Sequence, residues 1–355
     1  MKKTIVAFSS TVVALCYVAQ AGAAAARDHV SIVGSSTVYP FSTVVAEQFG
    51  KSGKFKTPKV EATGTGGGVK LFCGGVGVEF ADVVNASRRI KKTEYEACQK
   101  AGVKEIVEVK IGYDGIALAH SKKVKSTDLD RKEIFLALAK KVPDPKCGDC
   151  EKLIDNPYKK WSDINPALPD SKIEVLGPPP TSGTRDAFAE MALEGGCQAF
   201  PWIKAKKASN EAEYKSICHT VREDGAYVEA GENDNLIVQK LESNPGARGI
   251  FGFSYLDQNA DKVVADSVDG VFPSYESISS GKYAVSRPLF FYVKKAHIGM
   301  IPGLEGYIAE FSSEKAWGEE GYLADKGLIP SPKEERVKAA EDAKKLKPMS
   351  AEGLH

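Results

Sequence analysis

Short β-branched runs that give way to helical spacing set the rhythm of this chain. Residues 30–33 form such a run, which ends in Gly34-Ser35-Ser36-Thr37; Val38, Phe41, Val44, Val45 and Phe49 then recur at helical spacing, with Pro40 placed for a first helical turn. Residues 59–63 predict a second strand, followed by Gly64-Thr65-Gly66-Gly67-Gly68-Val69-Lys70 and the apolar Leu71, Phe72 and Cys73. Residues 81–84 predict a third short apolar segment, which passes through Asn85-Ala86-Ser87-Arg88-Arg89-Ile90 into a charged helix over residues 93–100. Residues 172–192 repeat the scheme: an apolar strand, a bend at Pro178 to Pro180, and Thr181-Ser182-Gly183-Thr184-Arg185-Asp186 opening a helix marked by Ala187, Phe188, Met191 and Ala192. Between and after these units, residues 106–119 predict a pair of strands or one long crossing strand, broken by Gly112-Tyr113-Asp114-Gly115. Residues 130–139 predict a helix, residues 143–167 an extended loop, residues 249–255 a β-prone run, residues 287–293 a strong strand, and residues 304–311 and 332–346 helices. Strands alternating with helices in this way predict an α/β protein.

The polar turns carry the chemistry. A helix start presents unpaired N–H groups and the positive end of the helix dipole, so it suits an anion. Ser36, Thr37, Thr65, Ser87, Ser182 and Thr184 add hydroxyl donors, and Gly183 allows a bound group near the backbone. Arg185 offers a planar fork suited to phosphate or carboxylate, with Arg88 second. The bland reading of each turn alone is a helix cap, a flexible turn or a solvated basic face. The Gly64 turn lacks the Gly-Lys-Ser/Thr ending of a nucleotide phosphate loop, and Val69 stands where the dinucleotide fingerprint needs glycine. These turns converge only if the strands' carboxyl ends face one cleft, as in open α/β sheets.

Composition then narrows the setting. Lys2 and Lys3, an apolar run and the small residues of 21–26 predict a secretory signal peptide over residues 1–26, with Cys16 too early to look like a lipid-attachment cysteine. Removing Lys2 and Lys3 from 48 Lys and Arg leaves 46 against 47 Asp and Glu, a balance that argues against a nucleic-acid binder and makes any anion site local. Six cysteines remain after export. Sequence proximity favours Cys73 with Cys98, Cys147 with Cys150 and Cys197 with Cys218, while a redox or half-zinc role for Cys147 and Cys150 finds no second CxxC and no nearby histidine.

GSSTVYP at 34–40, GTGGGVKLFC at 64–73, NASRRI at 85–90 and TSGTRDAF at 181–188, in that order, resemble the periplasmic phosphate-binding proteins of the phosphate-specific ABC uptake system. The resemblance implies a type II periplasmic-binding-protein fold: two α/β lobes joined by crossing hinge strands, with the ligand cleft between them. The strong strand candidates at 106–119 and 287–293 flank a span that could be an inserted lobe, which predicts lobe 1 from residues 27–114 and 288–355 and lobe 2 from 115–287, and the resemblance implies phosphate contacts from Ser36, Thr37, Thr65, Ser87, Ser182, Gly183 and Thr184. Expected partners are inorganic phosphate and an inner-membrane ABC permease, with the protein periplasmic, monomeric and free of cofactors. Two departures stand out. Ser87 lies where the best-known members carry an aspartate that accepts a proton from phosphate, leaving Asp186 or Asp114 as candidates. Pro178 to Pro180 lie where they carry an arginine, leaving Arg185 and then Arg88 as substitutes.

An enzyme is not expected. His29, His120, His219, His297 and His355 are scattered, no HExxH occurs, and the TSGT turn lacks the GxSxG elbow of esterases. The alternatives are an exported adhesion or interaction protein on the same scaffold, or capture of another oxyanion such as sulfate or molybdate.

Overall fold

A computed structural model describes residues 27–148, 150–231 and 234–354, so residues 1–26, where the sequence predicts a signal peptide, and His355 lie outside the described residues. Val30, Ile32 and Val33 are buried, as the β-branched run requires, and Ser31–Gly34 forms strand β1. It is followed by helix α1 (Tyr39–Gly50), with Pro40 in its first turn. Strand β2 (Lys59–Ala62) leads into α2 (Thr65–Phe72), and β3 (Val83–Ala86) into α3 (Lys92–Lys100). β1 pairs in parallel with both β2 and β3, matching Ile32 to Val60 and to Val83.

Residues 106–119 resolve in favour of the single crossing strand, β4 (Ile106–Ser121). Helix α4 (Arg131–Leu138) opens on a capping box, Asp130 accepting the Glu133 N–H at 2.6 Å. Strand β5 (Val175–Gly177) precedes α5 (Gly183–Phe188), a π turn (Ala189–Leu193) and α6 (Glu194–Cys197), which form one unbroken helical stretch. β6 (Tyr227–Glu229), β7 (Arg248–Gly252), β8 (Val263–Ala265) and β9 (Ser286–Lys294) complete a nine-stranded sheet of order β2-β1-β3-β9-β4-β7-β5-β6, with β8 also on β4. Two expectations change. The expected loop at 143–167 holds the hairpin strand Leu153–Asp155, paired with Lys141–Pro143, and the one-turn helix Trp161–Ile164. The β-prone run at 249–255 splits, because Phe253–Gln258 is helical after β7 ends.

β4 changes partners along its length. Ile106 to Gly115 pair with β9, and Ile116 to His120 pair with β7, both antiparallel. Burial follows the same division: two apolar clusters are built from residues 30–111 with 289–354, and two from 113–285 with Ile329. Central strands read as continuous apolar runs because helices cover both faces, while the edge strand β2 is largely exposed.

Cys73–Cys98, Cys147–Cys150 and Cys197–Cys218 are disulfides, the neighbouring pairs that sequence proximity favoured. Among the described residues, no helix is long and apolar enough to cross a membrane.

Candidate functional site

The first polar turn is fixed from within. The Ser35 N–H donates to the Asn85 carbonyl at 2.9 Å, and the Ser35 carbonyl accepts from Tyr39 N–H at 3.0 Å, which starts α1. Ser36 is left half-buried and Thr37 buried, at the carboxyl end of β1.

The second turn packs directly on the first. A Cβ on Gly68 would lie 2.4 Å from Gly34 Cα, so only glycine lets the start of α2 come this close to β1. Gly64, at φ +71°, makes the left-handed bend before the helix. The four glycines therefore have separate duties: Gly68 for helix packing, Gly64 for the bend, while Gly66 and Gly67 start the helix with room around them. Thr65 Oγ1 accepts the Ser87 N–H at 3.1 Å and lies 3.2 Å from Ser87 Oγ, which joins the second turn to the segment after β3.

The third turn meets the first from the other side of the chain. Ser182 is a true N-cap: its Oγ accepts the Thr184 N–H at 3.2 Å. Gly183 faces Ser36 and Thr37, since a Cβ there would stand 3.4 Å from the Ser36 carbonyl oxygen and from Thr37 Cα. Ser36 Oγ also donates to Asp186 at 3.4 Å. The structure thus brings Ser36, Thr37, Ser182, Gly183 and Thr184 to one place, with Thr65 and Ser87 joined to it through the Gly34 and Gly68 contact.

The two arginines singled out by sequence are held differently. Arg88 makes a two-pronged contact with Glu94, at 2.7 and 2.9 Å, which raises its proton affinity. Arg185 donates to the Pro178 carbonyl at 3.1 Å and stacks on Tyr227, with its guanidinium carbon 4.2 Å from the ring centre. Neither contact reaches the hydroxyls of the turns. The arginine that does is Arg287, on β9, which donates from Nη2 to Thr37 Oγ1 at 2.8 Å. No motif contains it, and its position follows from strand register: Arg287 stands opposite Asp114 of β4.

Carboxylates crowd the same place. Asp114 lies 3.6 Å from Arg287 Nε, beyond hydrogen-bond length, and Asp114 Oδ2 and Arg287 Nε are both buried without a hydrogen-bond partner. Burial pushes the Asp114 carboxyl up, against the pull of Arg287. Asp186 is also pushed up, first by desolvation and then by Glu190. Glu190, on the π turn, pairs with Arg287 Nη1. Among the described residues, no group of three or more His, Cys, Asp or Glu side chains is placed to hold a metal ion.

A mixed α/β fold brings Ser/Thr/Gly helix starts from distant parts of the sequence together, and comparison with known proteins defines its class. Residues 19–315 match the PBP superfamily domain, and the chain belongs to that superfamily. It is 32% identical over 287 residues to Protein SphX of Synechococcus elongatus, covering 78% of this chain and 72% of that protein. It is 28% identical over 307 residues to the phosphate-binding protein PstS of Staphylococcus saprophyticus, covering 85% and 80% of the two chains. Among solved structures it resembles a possible phosphate binding protein from Planctomyces limnophilus, with a TM-score of 0.70, 28% identity, and 90% and 98% coverage.

Proposed function

We propose that this chain is an exported solute-binding protein that captures inorganic phosphate in a cleft between two α/β lobes and passes it to the permease of an inner-membrane ABC importer. On this reading residues 1–26 are its signal peptide, 27–114 with 288–355 form one lobe, 115–287 form the other, and the protein acts as a periplasmic monomer. Phosphate is held by Ser36, Thr37, Thr65, Ser87, Ser182, Gly183 and Thr184, with Arg88 and Arg185 adding field from the margin. The observation that carries the reading is the approach of Gly183 to Ser36 and Thr37, which sets two helix starts from distant parts of the sequence against each other. Amide and hydroxyl donors arranged in this way stabilise an oxyanion without breaking any bond. Relatives named as phosphate-binding proteins, not enzymes, support the same reading.

The test is calorimetric titration with phosphate, arsenate and sulfate. Phosphate should bind tightly and reversibly, with sulfate far weaker. Ser182→Ala and Thr65→Ala each remove one neutral donor and should cost about 0.5–1.5 kcal/mol of binding. Absence of phosphate binding, or full affinity in both variants, defeats the assignment.

A further inference from the structure

Arg287 is the guanidinium closest to the hydroxyls of the first turn, and it is not free in this structure. Its Nη2 is on Thr37 and its Nη1 on Glu190, while Nε faces the buried Asp114 without a hydrogen bond. The side chain of Arg287 is 12% exposed and that of Glu190 is 49% exposed, so a sheltered cation is met by a carboxylate reaching in from the surface. We propose that Arg287 is the charge partner of the bound phosphate, and that Glu190 occupies it as a built-in anion which the ligand displaces. The inference rests on the phosphate-binding reading above.

Four observations support it. Glu190 places its carboxylate beside the Thr37 hydroxyl through Arg287, in the region bounded by Ser36 and Gly183. Its negative charge is felt by Arg88, Asp114 and Asp186 as well, so one spot at this carboxylate is common to the charged groups around the turns. Glu190 sits in the π turn Ala189–Leu193. Such turns lodge one extra residue in a helix and recur at functional sites. Finally, the Glu190 carboxylate is half exposed, so water competes for it and leaving Arg287 costs it little solvation, while Asp114 and Asp186 on the same side favour its departure. A tetrahedral oxyanion has enough oxygens to take Arg287 together with the Ser and Thr donors, whereas the Glu190 carboxylate as placed here pairs with Arg287.

The test is calorimetric titration of the parent, E190Q, R287Q and the double variant with inorganic phosphate, with thermal melts to confirm folding. E190Q removes the competing charge and should bind phosphate about tenfold more tightly. R287Q should bind roughly 30-fold to 100-fold more weakly, and E190Q should bring no gain in the R287Q background. R287K, which keeps the charge but not the fork, should bind phosphate more weakly than the parent, and it carries the test where R287Q does not fold. Unchanged or weaker binding by E190Q overturns the proposal while leaving the phosphate reading in place, and so does a gain that persists without Arg287. A parent that binds no phosphate overturns both.

Discussion

Asp234 is a buried carboxyl whose ionisation bears on the stability of this fold. It is 7% exposed at the start of the helix Asp234–Ser243 and accepts the Gly252 N–H at 3.3 Å. Burial first, and the neighbouring Asp114 charge after it, push its carboxyl up to about 6, against the pull of that N–H. A raised value means that the folded chain keeps a proton which the unfolded chain releases from about pH 4 upward. The contribution of Asp234 to stability therefore falls as pH rises from about 4 to about 6, and above that range the folded chain carries this buried charge at a cost. Asp234→Asn keeps an acceptor for Gly252 and removes the charge. Relative to the parent it should gain roughly 2–3 kcal/mol near pH 7 and almost nothing near pH 4, read from urea midpoints at both values. A gain of equal size at the two pH values would mean that the effect comes from something other than ionisation.

At the scale of elements, the site depends on how closely α2 lies on β1, and Gly68 is the contact that permits it. A methyl there would stand 2.4 and 2.8 Å from Gly34 Cα and N, backbone atoms that have no rotamer to yield, and 3.1 Å from Val84 Cγ2. Gly68→Ala should cost about 1–3 kcal/mol of stability and also weaken phosphate binding, because lifting α2 moves Thr65 away from Ser87. Gly66→Ala is the control: it has open space and a helical position, and should be neutral or stabilising by up to about 1 kcal/mol in the same denaturation series. Loss of phosphate affinity without loss of stability in Gly68→Ala would separate the glycine's packing duty from its place in the site. The contrast also marks what sequence could show. Strand, polar turn and helix were legible three times over because caps, β-branched runs and helical spacing are local signals, and Pro40 and Ser182 act where their positions suggested. Arg287 was not legible, because its role comes from standing opposite Asp114 across two strands more than a hundred residues apart. The split of residues 249–255 into strand and helix was hidden for a related reason: an apolar run suits either state, and packing decides between them.

Across the whole molecule, the disulfides do not bridge the proposed lobes, and Tyr113 and Ile329 are the buried apolar residues of the first that pack into the core of the second. β4 and β9 are the strands that pass between the two sets of apolar clusters, and each disulfide lies within one set: Cys73–Cys98 among residues 30–111, Cys147–Cys150 and Cys197–Cys218 among 113–285. What joins the halves near the turns is polar, namely Ser36 on Asp186 and Arg287 on Thr37. Such contacts are weak in water and are strengthened when a shared ligand bridges them. The lobes should then unfold together only while each is stable enough on its own. Cys197–Cys218 ties α6 to the helix Glu211–His219 across a separation of 21 residues. Replacing both cysteines by serine should cost the second lobe about 3 kcal/mol by releasing that loop in the unfolded chain. Differential scanning calorimetry should therefore resolve two transitions in the double variant, the earlier one belonging to residues 115–287. Phosphate at about 100 times its dissociation constant should restore roughly 2.7 kcal/mol to whichever transition destroys the site, and so draw the two together. If the variant melts in a single lowered transition with or without phosphate, the halves are energetically one body, and the division into lobes that close on the ligand has to be abandoned.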